Sequence, residues 1–295
     1  MSAPTGEQYS LSAHGYEAVV TQSGVLASLR HAGRDLVDGV PDATMPAGGR
    51  GQLLVPWPNR IRDGRYRFDG ADQQLALTEP KRHNASHGLV RWVSWSVLER
   101  TDTRIVLGYF LPAQTGYPWA LALRTTYALD EGGLTVVQEA TNLADTRAPY
   151  ASGAHPYLLA GEGPCDGWEL TLPATTRLLT DDERLLPVWR EAHDAFVDGA
   201  LLGATVLNHA YTDLRREDDG RAEVRLRAAA TGVALWVDEQ HRWLQVYTAD
   251  DTATPRVSVA VEPMTAPPDA FNSGEDLTVI EPGDTVAARW GIRAL

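Results

Sequence analysis

Apolar and polar residues alternate with a period of two along most of this 295-residue chain. Alternate positions from Leu121 to Leu129, for example, carry Leu, Leu, Thr, Tyr and Leu. This period places successive side chains on opposite faces of a β-strand. No window longer than about a dozen residues shows the 3.6-residue stripe of an amphipathic helix. The sequence therefore predicts an all-β fold.

Short runs of Asp and Gly separate the alternating segments and predict where the chain turns. Residues 130–133 (Asp-Glu-Gly-Gly) predict a hairpin. Residues 218–220 (Asp-Asp-Gly) predict a second hairpin that pairs residues 211–216 with residues 221–229. Asp63-Gly64 predicts a third turn between two short strands. Further strands are predicted at residues 92–100, 104–110, 134–141, 233–239, 243–248, 256–262 and 286–293.

The spacing of these strands predicts their arrangement. Turns rather than helices of 10 to 15 residues separate them, which favours a large antiparallel β-sandwich over a doubly wound or barrel α/β fold. Residues 181–201 have a weak pattern, and we predict a short helix or a long loop there. Because no linker or low-complexity tract divides the chain, we predict a single domain over residues 1–295.

Composition excludes several classes of function. The chain has 39 acidic and 26 basic residues, a net charge of −13, which opposes the phosphate neutralisation that nucleic-acid binding needs. The single cysteine, Cys165, excludes an internal disulfide and a zinc site built from paired thiolates. No apolar run reaches the roughly 18 to 20 residues of a membrane span, and the first ten residues lack the pattern of a signal peptide. We therefore expect a cytoplasmic monomer or homodimer that binds neither nucleic acid nor a membrane.

The charge is unevenly distributed. Residues 50–91 hold eight basic and four acidic residues, a local charge of +4. Within this segment, Arg60 follows Val-Pro-Trp-Pro-Asn, in which two prolines restrict the backbone. An arginine held in this way can contact hydroxyls or carboxylates.

Three titratable residues stand out by their context. His155 and Glu262 each end an extended segment and precede a proline, a setting that favours extended geometry. Val257, Val259 and Val261 point to one face of the predicted strand, so the Glu262 carboxylate faces away from that apolar layer. His87, in Ser-His-Gly, is the third candidate.

These residues favour acid/base chemistry without a metal. The candidate histidines lack His-x-His or His-Glu-x-x-His spacing, which argues against a metal site. Ser152 lacks the full Gly-x-Ser-x-Gly pattern of a hydrolase, and no glycine-rich nucleotide loop is present. The pattern therefore indicates a His and a Glu acting as acid/base partners on a polyhydroxylated substrate.

Six short motifs together resemble the aldose 1-epimerase (galactose mutarotase-like) family, in order along most of the chain. They are residues 51–61 (Gly-Gln-Leu-Leu-Val-Pro-Trp-Pro-Asn-Arg-Ile), 86–88 (Ser-His-Gly), 155–157 (His-Pro-Tyr), 244–248 (Leu-Gln-Val-Tyr-Thr), 261–264 (Val-Glu-Pro-Met) and 269–272 (Asp-Ala-Phe-Asn).

The resemblance implies a fold and roles for individual residues. The fold is the galactose mutarotase-like supersandwich, with a sugar in an open groove on one sheet. His155 would be the general acid that protonates the ring oxygen, and Glu262 the general base that takes the C1 hydroxyl proton. His87 would hold the ring-oxygen side, while Arg60 and Gln245 would contact sugar hydroxyls. No cofactor is required.

One position departs from the family pattern. Many members have an Asp before His in the segment that is Leu207-Asn208-His209 here, and that Asp binds sugar hydroxyls. Asn208 can donate and accept hydrogen bonds but is not a charged acceptor, so the preference among hexoses stays open. Asp213 is an alternative, although its parity places it on the opposite strand face from Asn208 unless a bulge intervenes.

Four functions remain to be separated. We expect an aldose 1-epimerase that interconverts the α and β anomers of a free hexose such as glucose or galactose. The basic segment leaves a hexose 6-phosphate as an alternative substrate. A sugar-binding protein without turnover is a third hypothesis. A glycoside hydrolase is disfavoured because only one convincing carboxylate is found where two are needed.

Overall fold

The computed structural model describes residues 3–295, and within them the fold is almost entirely β, as predicted. One short α-helix, α1 (Ala270–Ser273), and two 3₁₀ turns, Pro80–Arg82 and Cys165–Gly167, accompany the strands. No helix in these residues is long and apolar enough to cross a lipid bilayer. The strands of the first half are β1 (Gln8–Ala13), β2 (Tyr16–Thr21), β3 (Leu26–His31), β4 (Arg34–Asp35), β5 (Leu53–Leu54), β6 (Arg60–Arg62), β7 (Arg65–Phe68), β8 (Ala71–Gln74), β9 (Asn84–Ser86), β10 (Ser96–Arg100), β11 (Arg104–Leu111), β12 (Leu121–Asp130) and β13 (Gly133–Asn142). Those of the second half are β14 (Ala148–Tyr150), β15 (Gly153–Ala154), β16 (Tyr157–Leu158), β17 (Glu169–Thr171), β18 (Ala174–Thr180), β19 (Pro187–Ala192), β20 (Ala200–Leu201), β21 (Asn208–Leu214), β22 (Ala222–Ala228), β23 (Thr231–Val237), β24 (Trp243–Tyr247), β25 (Val259–Met264), β26 (Thr278–Ile280) and β27 (Thr285–Ala294).

Two large antiparallel sheets form the body of the sandwich. The nine-stranded sheet has the order β10-β11-β12-β13-β27-β23-β22-β17-β20. The eight-stranded sheet has the order β19-β18-β21-β24-β25-β15-β5, and β16 also pairs with β25. A four-stranded sheet, β1 to β4, and three two-stranded pairs complete the fold. This architecture is the antiparallel sandwich that the alternation predicted.

The predicted hairpin at residues 130–133 is confirmed. Asp130 of β12 pairs with Gly133 of β13, and Leu121 pairs with Asn142 at the far end of the hairpin. The alternate side chains Leu121, Tyr127 and Leu129 are buried in the core. The run of alternating residues and its turn therefore form one element of the nine-stranded sheet.

The second predicted hairpin is wrong. β21 pairs with β18 and β24 in the eight-stranded sheet, whereas β22 pairs with β17 and β23 in the nine-stranded sheet. Residues 215–221 therefore carry the chain from one sheet to the other. The Arg216 guanidinium holds this crossing by donating to the carbonyl oxygens of Gly220, Asp238 and His241. Alternation identifies a strand but not its partner, because both sheets bury one face in the same way.

The expectation for residues 181–201 is also wrong. The segment contains strand β19, which pairs with β18 at the edge of the eight-stranded sheet, and the short strand β20. Val188 and Trp189 of β19 are 60% and 71% exposed. An edge strand with exposed apolar side chains lacks the alternation in polarity that marks a half-buried strand.

The eight-stranded sheet presents two different faces. Leu244 and Val246 of β24 and Val259 and Val261 of β25 are fully buried in the core between the sheets. Glu262 has the opposite parity and faces away from this layer, as predicted. The strand itself begins at Val259 rather than at residue 256 and extends to Met264. The candidate site residues Asn208, Gln245 and Glu262 lie on strands of this sheet and line a cavity.

Candidate active site

A cavity of about 450 Å³ lies over the second face of the eight-stranded sheet. Its floor includes residues of β21, β24 and β25 and the segment that follows β15. Loops around residues 47–50, 78–91 and 251–254 form its walls. All six residues singled out in the sequence line it, namely Arg60, His87, His155, Asn208, Gln245 and Glu262.

His155 and Glu262 lie side by side in the cavity. His155 Nε2 is 3.3 Å from Glu262 Oε1, and the two side chains are only 6% and 4% exposed. Burial, followed by the charge of Arg91, lowers the pKa of His155 to about 3. Burial raises the pKa of Glu262 to about 8, against the opposing charges of Arg60 and Arg91. At neutral pH the ligand-free pair therefore carries one proton, which resides on Glu262.

This distribution differs from the ordinary one, in which Glu is ionised and His partly protonated near pH 7. The cause is desolvation, which disfavours the charged form of both groups. The pair has no other hydrogen-bond partner that would stabilise charge: within residues 3–295, His155 Nδ1 and Glu262 Oε2 are buried without one.

His87 is held in one tautomer beside the pair. Its Nδ1 accepts a hydrogen bond from the Asn59 backbone N–H at 3.2 Å, so the proton of the neutral ring is on Nε2. The ring packs edge-on to His155, with centroids 5.5 Å apart. Burial, and then the proximity of His155, lowers the pKa of His87 well below its ordinary value. His87 is therefore a neutral group that can donate from Nε2.

The local backbone explains how His87 reaches this position. His87 has a φ of 60°, and Gly88 follows with a φ of 74°. A Cβ at residue 88 would lie 2.1 Å from the Val55 carbonyl oxygen. The Ser-His-Gly motif thus combines a left-handed backbone with a close approach that only glycine permits.

Arg60 lies on β6 and is held by an acidic partner that the sequence did not indicate. Its Nε and Nη2 donate to Glu79 Oε2 and Oε1 at 2.7 and 3.0 Å, a bidentate ion pair. The arginine and glutamate side chains are 14% and 23% exposed. Arg60 Nη1 also donates to Asn59 Oδ1 at 3.3 Å. The guanidinium is therefore fixed in direction at the cavity wall, and its charge is compensated.

A row of amides crosses the cavity floor. Gln245 Nε2 donates to Asn208 Oδ1 at 2.9 Å, and Asn59 Nδ2 donates to Gln245 Oε1 at 3.5 Å. Gln245 lies opposite Glu262 in the β24–β25 register, which places the amides next to the His155–Glu262 pair. Asp213, the alternative to Asn208, lies near the other end of β21, where it accepts a hydrogen bond from Thr176, and it does not line the cavity.

The chain is similar to known proteins over almost its whole length. The family model for aldose 1-epimerase matches residues 7–293. The chain belongs to the aldose 1-epimerase family. It is 35% identical over 285 residues to the uncharacterized protein YihR of Escherichia coli (strain K12), covering 95% of this chain and 90% of YihR. It is 33% identical over 143 residues to galactose mutarotase of Pongo abelii, covering 46% of this chain and 40% of that protein.

Solved structures of low sequence identity share the fold of this aldose 1-epimerase family member. The GalM/aldose epimerase homologue from C. elegans superposes with a TM-score of 0.85 at 16% identity, covering 98% of both chains. Galactose 1-epimerase from Lactobacillus acidophilus NCFM gives a TM-score of 0.80 at 17% identity, covering 97% of this chain and 94% of that one. At these identities the likeness concerns the fold.

Arg91 is a charged cavity residue that lies outside the family motifs. Its Nε donates to Gln52 Oε1 at 2.7 Å, and Gln52 Nε2 donates back to the Arg91 carbonyl oxygen at 2.9 Å. The described residues offer Arg91 no carboxylate within ion-pair distance. Burial lowers its pKa, although the guanidinium stays charged at neutral pH. Arg91 therefore brings an uncompensated positive charge to the cavity of this family member.

Other cavity residues were also missed by the sequence reasoning. Asn59 and Tyr157 lie inside motifs that were quoted for the family, so adjacency was the available signal. Glu79 and Asp251 come from loops without a motif. Within residues 3–295, no cluster of three or more His, Cys, Asp or Glu side chains could hold a metal ion. The cavity thus holds a buried His–Glu pair, a neutral imidazole, amides and arginines.

Proposed function

We propose that this protein is an aldose 1-epimerase that interconverts the α and β anomers of a free hexose. The observation that carries the proposal is the His155–Glu262 contact at the floor of a polar cavity. Two groups that share one proton can protonate one oxygen while deprotonating another, which is the requirement for opening and closing a hemiacetal. Arg60, Asn208 and Gln245 supply donors and acceptors suited to sugar hydroxyls.

In the proposed mechanism, sugar binding first moves the shared proton from Glu262 to His155 across their 3.3 Å contact. Glu262 then takes the proton of the C1 hydroxyl, a C1=O double bond forms, and the bond between C1 and the ring oxygen breaks. His155 gives its proton to that oxygen, with His87 positioned to donate a hydrogen bond beside it. The open-chain aldehyde now faces a neutral His155 and a protonated Glu262, the same state as the ligand-free pair.

Rotation about the C1–C2 bond exposes the other face of the aldehyde. The C5 hydroxyl returns its proton to His155 as its oxygen attacks C1, and Glu262 returns its proton to O1. The product is the other anomer, and protons balance without a cofactor. The unusual proton distribution of the ligand-free pair is therefore that of the open-chain intermediate.

Polarimetry or NMR on freshly dissolved α-glucose and α-galactose tests the proposal. The protein should accelerate equilibration of the anomers, and His155→Gln or Glu262→Gln should remove the acceleration. Glu131→Gln, in the exposed turn of the β12–β13 hairpin, is the matched control and should retain full activity. Saturable sugar binding with no acceleration by the parent protein would instead support a sugar-binding protein without turnover.

A hexose 6-phosphate is a second candidate substrate, and Arg91 favours it. A guanidinium without an acidic partner can pair with a phosphate oxygen, and Arg82 lines the same cavity. If the substrate is phosphorylated, kcat/KM for glucose 6-phosphate should exceed that for glucose, and Arg91→Gln should remove the difference. Equal or faster turnover of glucose would eliminate this candidate.

A further inference from the structure

The imidazole of His155 lacks the support that usually orients a functional histidine. Such a ring commonly donates its second N–H to a carboxylate or a carbonyl oxygen, which fixes the ring orientation. In the described part of the chain, His155 Nδ1 is buried without any partner. Its backbone N–H and C=O are bonded to Gln52 and Gly51, but these bonds do not fix rotation of the side chain. Another contact must hold the ring against Glu262.

The Tyr157 ring and Gly49 both lie against the imidazole. Tyr157 stacks on His155 with centroids 5.0 Å apart and an interplanar angle of 9°. Residues two apart in extended backbone project to the same side, so the His-Pro-Tyr sequence itself brings the two rings together. Gly49 lies so close that a Cβ at that position would be 2.6 Å from His155 Cδ2. Rotation of the imidazole is therefore restricted by stacking rather than by a hydrogen bond.

Tyr157 is in turn held from two directions. Its hydroxyl donates to the Gly48 carbonyl oxygen at 2.8 Å. The Arg50 guanidinium lies 4.2 Å from the Tyr157 ring centroid, in cation–π geometry. Arg50 is anchored by two hydrogen bonds to Asp38 Oδ2, at 3.0 and 2.7 Å, and Ser258 donates to the same oxygen at 2.9 Å. The result is an ordered column of guanidinium, phenol ring and imidazole, which we call the Arg50 column.

We propose that Tyr157 is a positioning residue that holds His155 in register with Glu262, and that Arg50 secures Tyr157 in this role. The inference rests on the proposed function for its kinetic consequence but not for its structural one. Because stacking leaves Nδ1 without a hydrogen-bond partner, His155 can gain or lose a proton at Nε2 without breaking a second hydrogen bond. Misplacing a reacting group by about 1 Å can cost roughly 100-fold in rate.

The Arg50 column also acts on the charge of His155. Groups from several elements face the imidazole: Glu262 of β25, His87 after β9, Arg91 and Arg60 on the wall, and Arg50 and Tyr157 in the column. Among them Arg50 contributes to lowering the pKa of His155, after burial and Arg91. Its removal should therefore raise the pKa of His155.

Two substitutions at one position separate stacking from hydrogen bonding. Tyr157→Phe keeps the ring and loses the bond to Gly48, and kcat should stay within about threefold of the parent. Tyr157→Leu removes the ring, and kcat should fall about 10- to 100-fold with little change in KM. Tyr127→Leu, on β12 of the other large sheet, controls for loss of a fully buried tyrosine whose hydroxyl donates to a backbone carbonyl, and it should retain the parental kcat. Equal losses in the Phe and Leu variants, or a loss confined to KM, would overturn the proposal.

Histidine NMR tests the column even if the protein has no epimerase activity. In the parent, the ring protons of His155 should show the upfield shift of a nucleus above an aromatic face. Tyr157→Phe should keep that shift, whereas Arg50→Met should reduce it, because the Tyr157 ring loses its cation–π contact, and should raise the pH at which His155 titrates. An unchanged shift in Arg50→Met would refute the role of Arg50. A His155 ring without the shift in the parent would refute the stack. The shift without any effect of Tyr157→Leu on kcat, in an active enzyme, would refute the positioning role. An inactive parent with the shift present would refute the proposed function alone.

Discussion

Two glutamates on the outward faces of the two large sheets show how differently those faces are used. Glu99 lies on β10 at the edge of the nine-stranded sheet, where hydrogen bonds from Arg104 and then Arg124 hold its pKa below the ordinary value. Glu262 lies on β25 of the eight-stranded sheet, where burial raises its pKa to about 8. The first is exposed and ionised, whereas the second is covered by loops.

The difference lies in what covers each sheet. The outward face at β10 meets solvent, which screens its charges, so ion pairs there contribute little. The outward face of the eight-stranded sheet carries a second layer of loops, so polar groups are desolvated without being fully satisfied. Sheets of the same topology class can thus serve as a scaffold or as a reactive surface, depending on the loops above them.

The largest expected effect comes from substituting one residue on each face of β25. Glu262→Gln should lower kcat by about 10²- to 10⁴-fold, the usual contribution of a general acid or base, while leaving the free energy of unfolding unchanged or higher because a buried titratable group is lost. Val261→Ala, one residue away on the core face, should lower the free energy of unfolding by about 2 to 3 kcal/mol through lost burial and a cavity. Chemical denaturation and mutarotation assays on both variants measure the contrast.

Loss of activity in Val261→Ala, at a temperature where the variant is folded, would contradict this division of roles. Retention of the parental kcat by Glu262→Gln would do so equally.

The next largest effect concerns the dependence of stability on pH. The folded pKa of His155, about 3, is lower than in the unfolded chain, so this residue makes stability rise with pH from about 3 to about 6.5. The folded pKa of Glu262, about 8, is higher than in the unfolded chain, so this residue makes stability fall from about pH 4.5 to about 8. Between about pH 4.5 and 6.5 the two slopes oppose each other. The pair should therefore give a plateau with losses on both sides.

Subtracting the profile of the His155→Gln/Glu262→Gln double variant isolates the pair from the other titrating groups. The difference in unfolding free energy should show the plateau, and kcat/KM of the parent should follow a bell-shaped profile because only the singly protonated pair is productive. A difference profile that rose to about pH 6.5 and then stayed level through pH 8 would mean that Glu262 is ionised in the folded protein.

Much of this arrangement could be predicted from sequence because it depends on local order. Parity along β25 placed Val261 in the core and Glu262 on the other face, and the family motifs supplied the residues that line one cavity. Parity cannot say which strand lies beside which, so the crossing after β21 was mistaken for a hairpin. Charge state was equally inaccessible, since ordinary pKa values hold only for solvated groups.

Ion pairs between residues that are distant in the sequence could not be predicted either. Glu79 is 19 residues from Arg60 and has no motif of its own, yet it forms the bidentate pair that orients that guanidinium. The charge of +4 counted for residues 50–91 already includes Glu79, and it overstates the free positive charge because Asp38 and Asp269, outside the segment, pair with Arg50 and Arg62. Arg91 is the cavity arginine that the described residues leave without a carboxylate partner.

The smallest expected effect distinguishes an ion pair at the cavity wall from one on a solvated hairpin. Glu79→Gln leaves Arg60 without its bidentate partner in a setting where both side chains are less than one quarter exposed, and we expect KM for sugar to rise about 10-fold with a smaller change in kcat. Asp72→Asn breaks the Arg67–Asp72 pair on the β7–β8 hairpin, whose side chains are 68% and 82% exposed. That substitution should change neither KM nor the thermal midpoint, because solvent already screens the charges. If both substitutions raised KM alike, sugar binding would depend on the net positive charge of residues 50–91. It would not depend on the orientation of the Arg60 guanidinium.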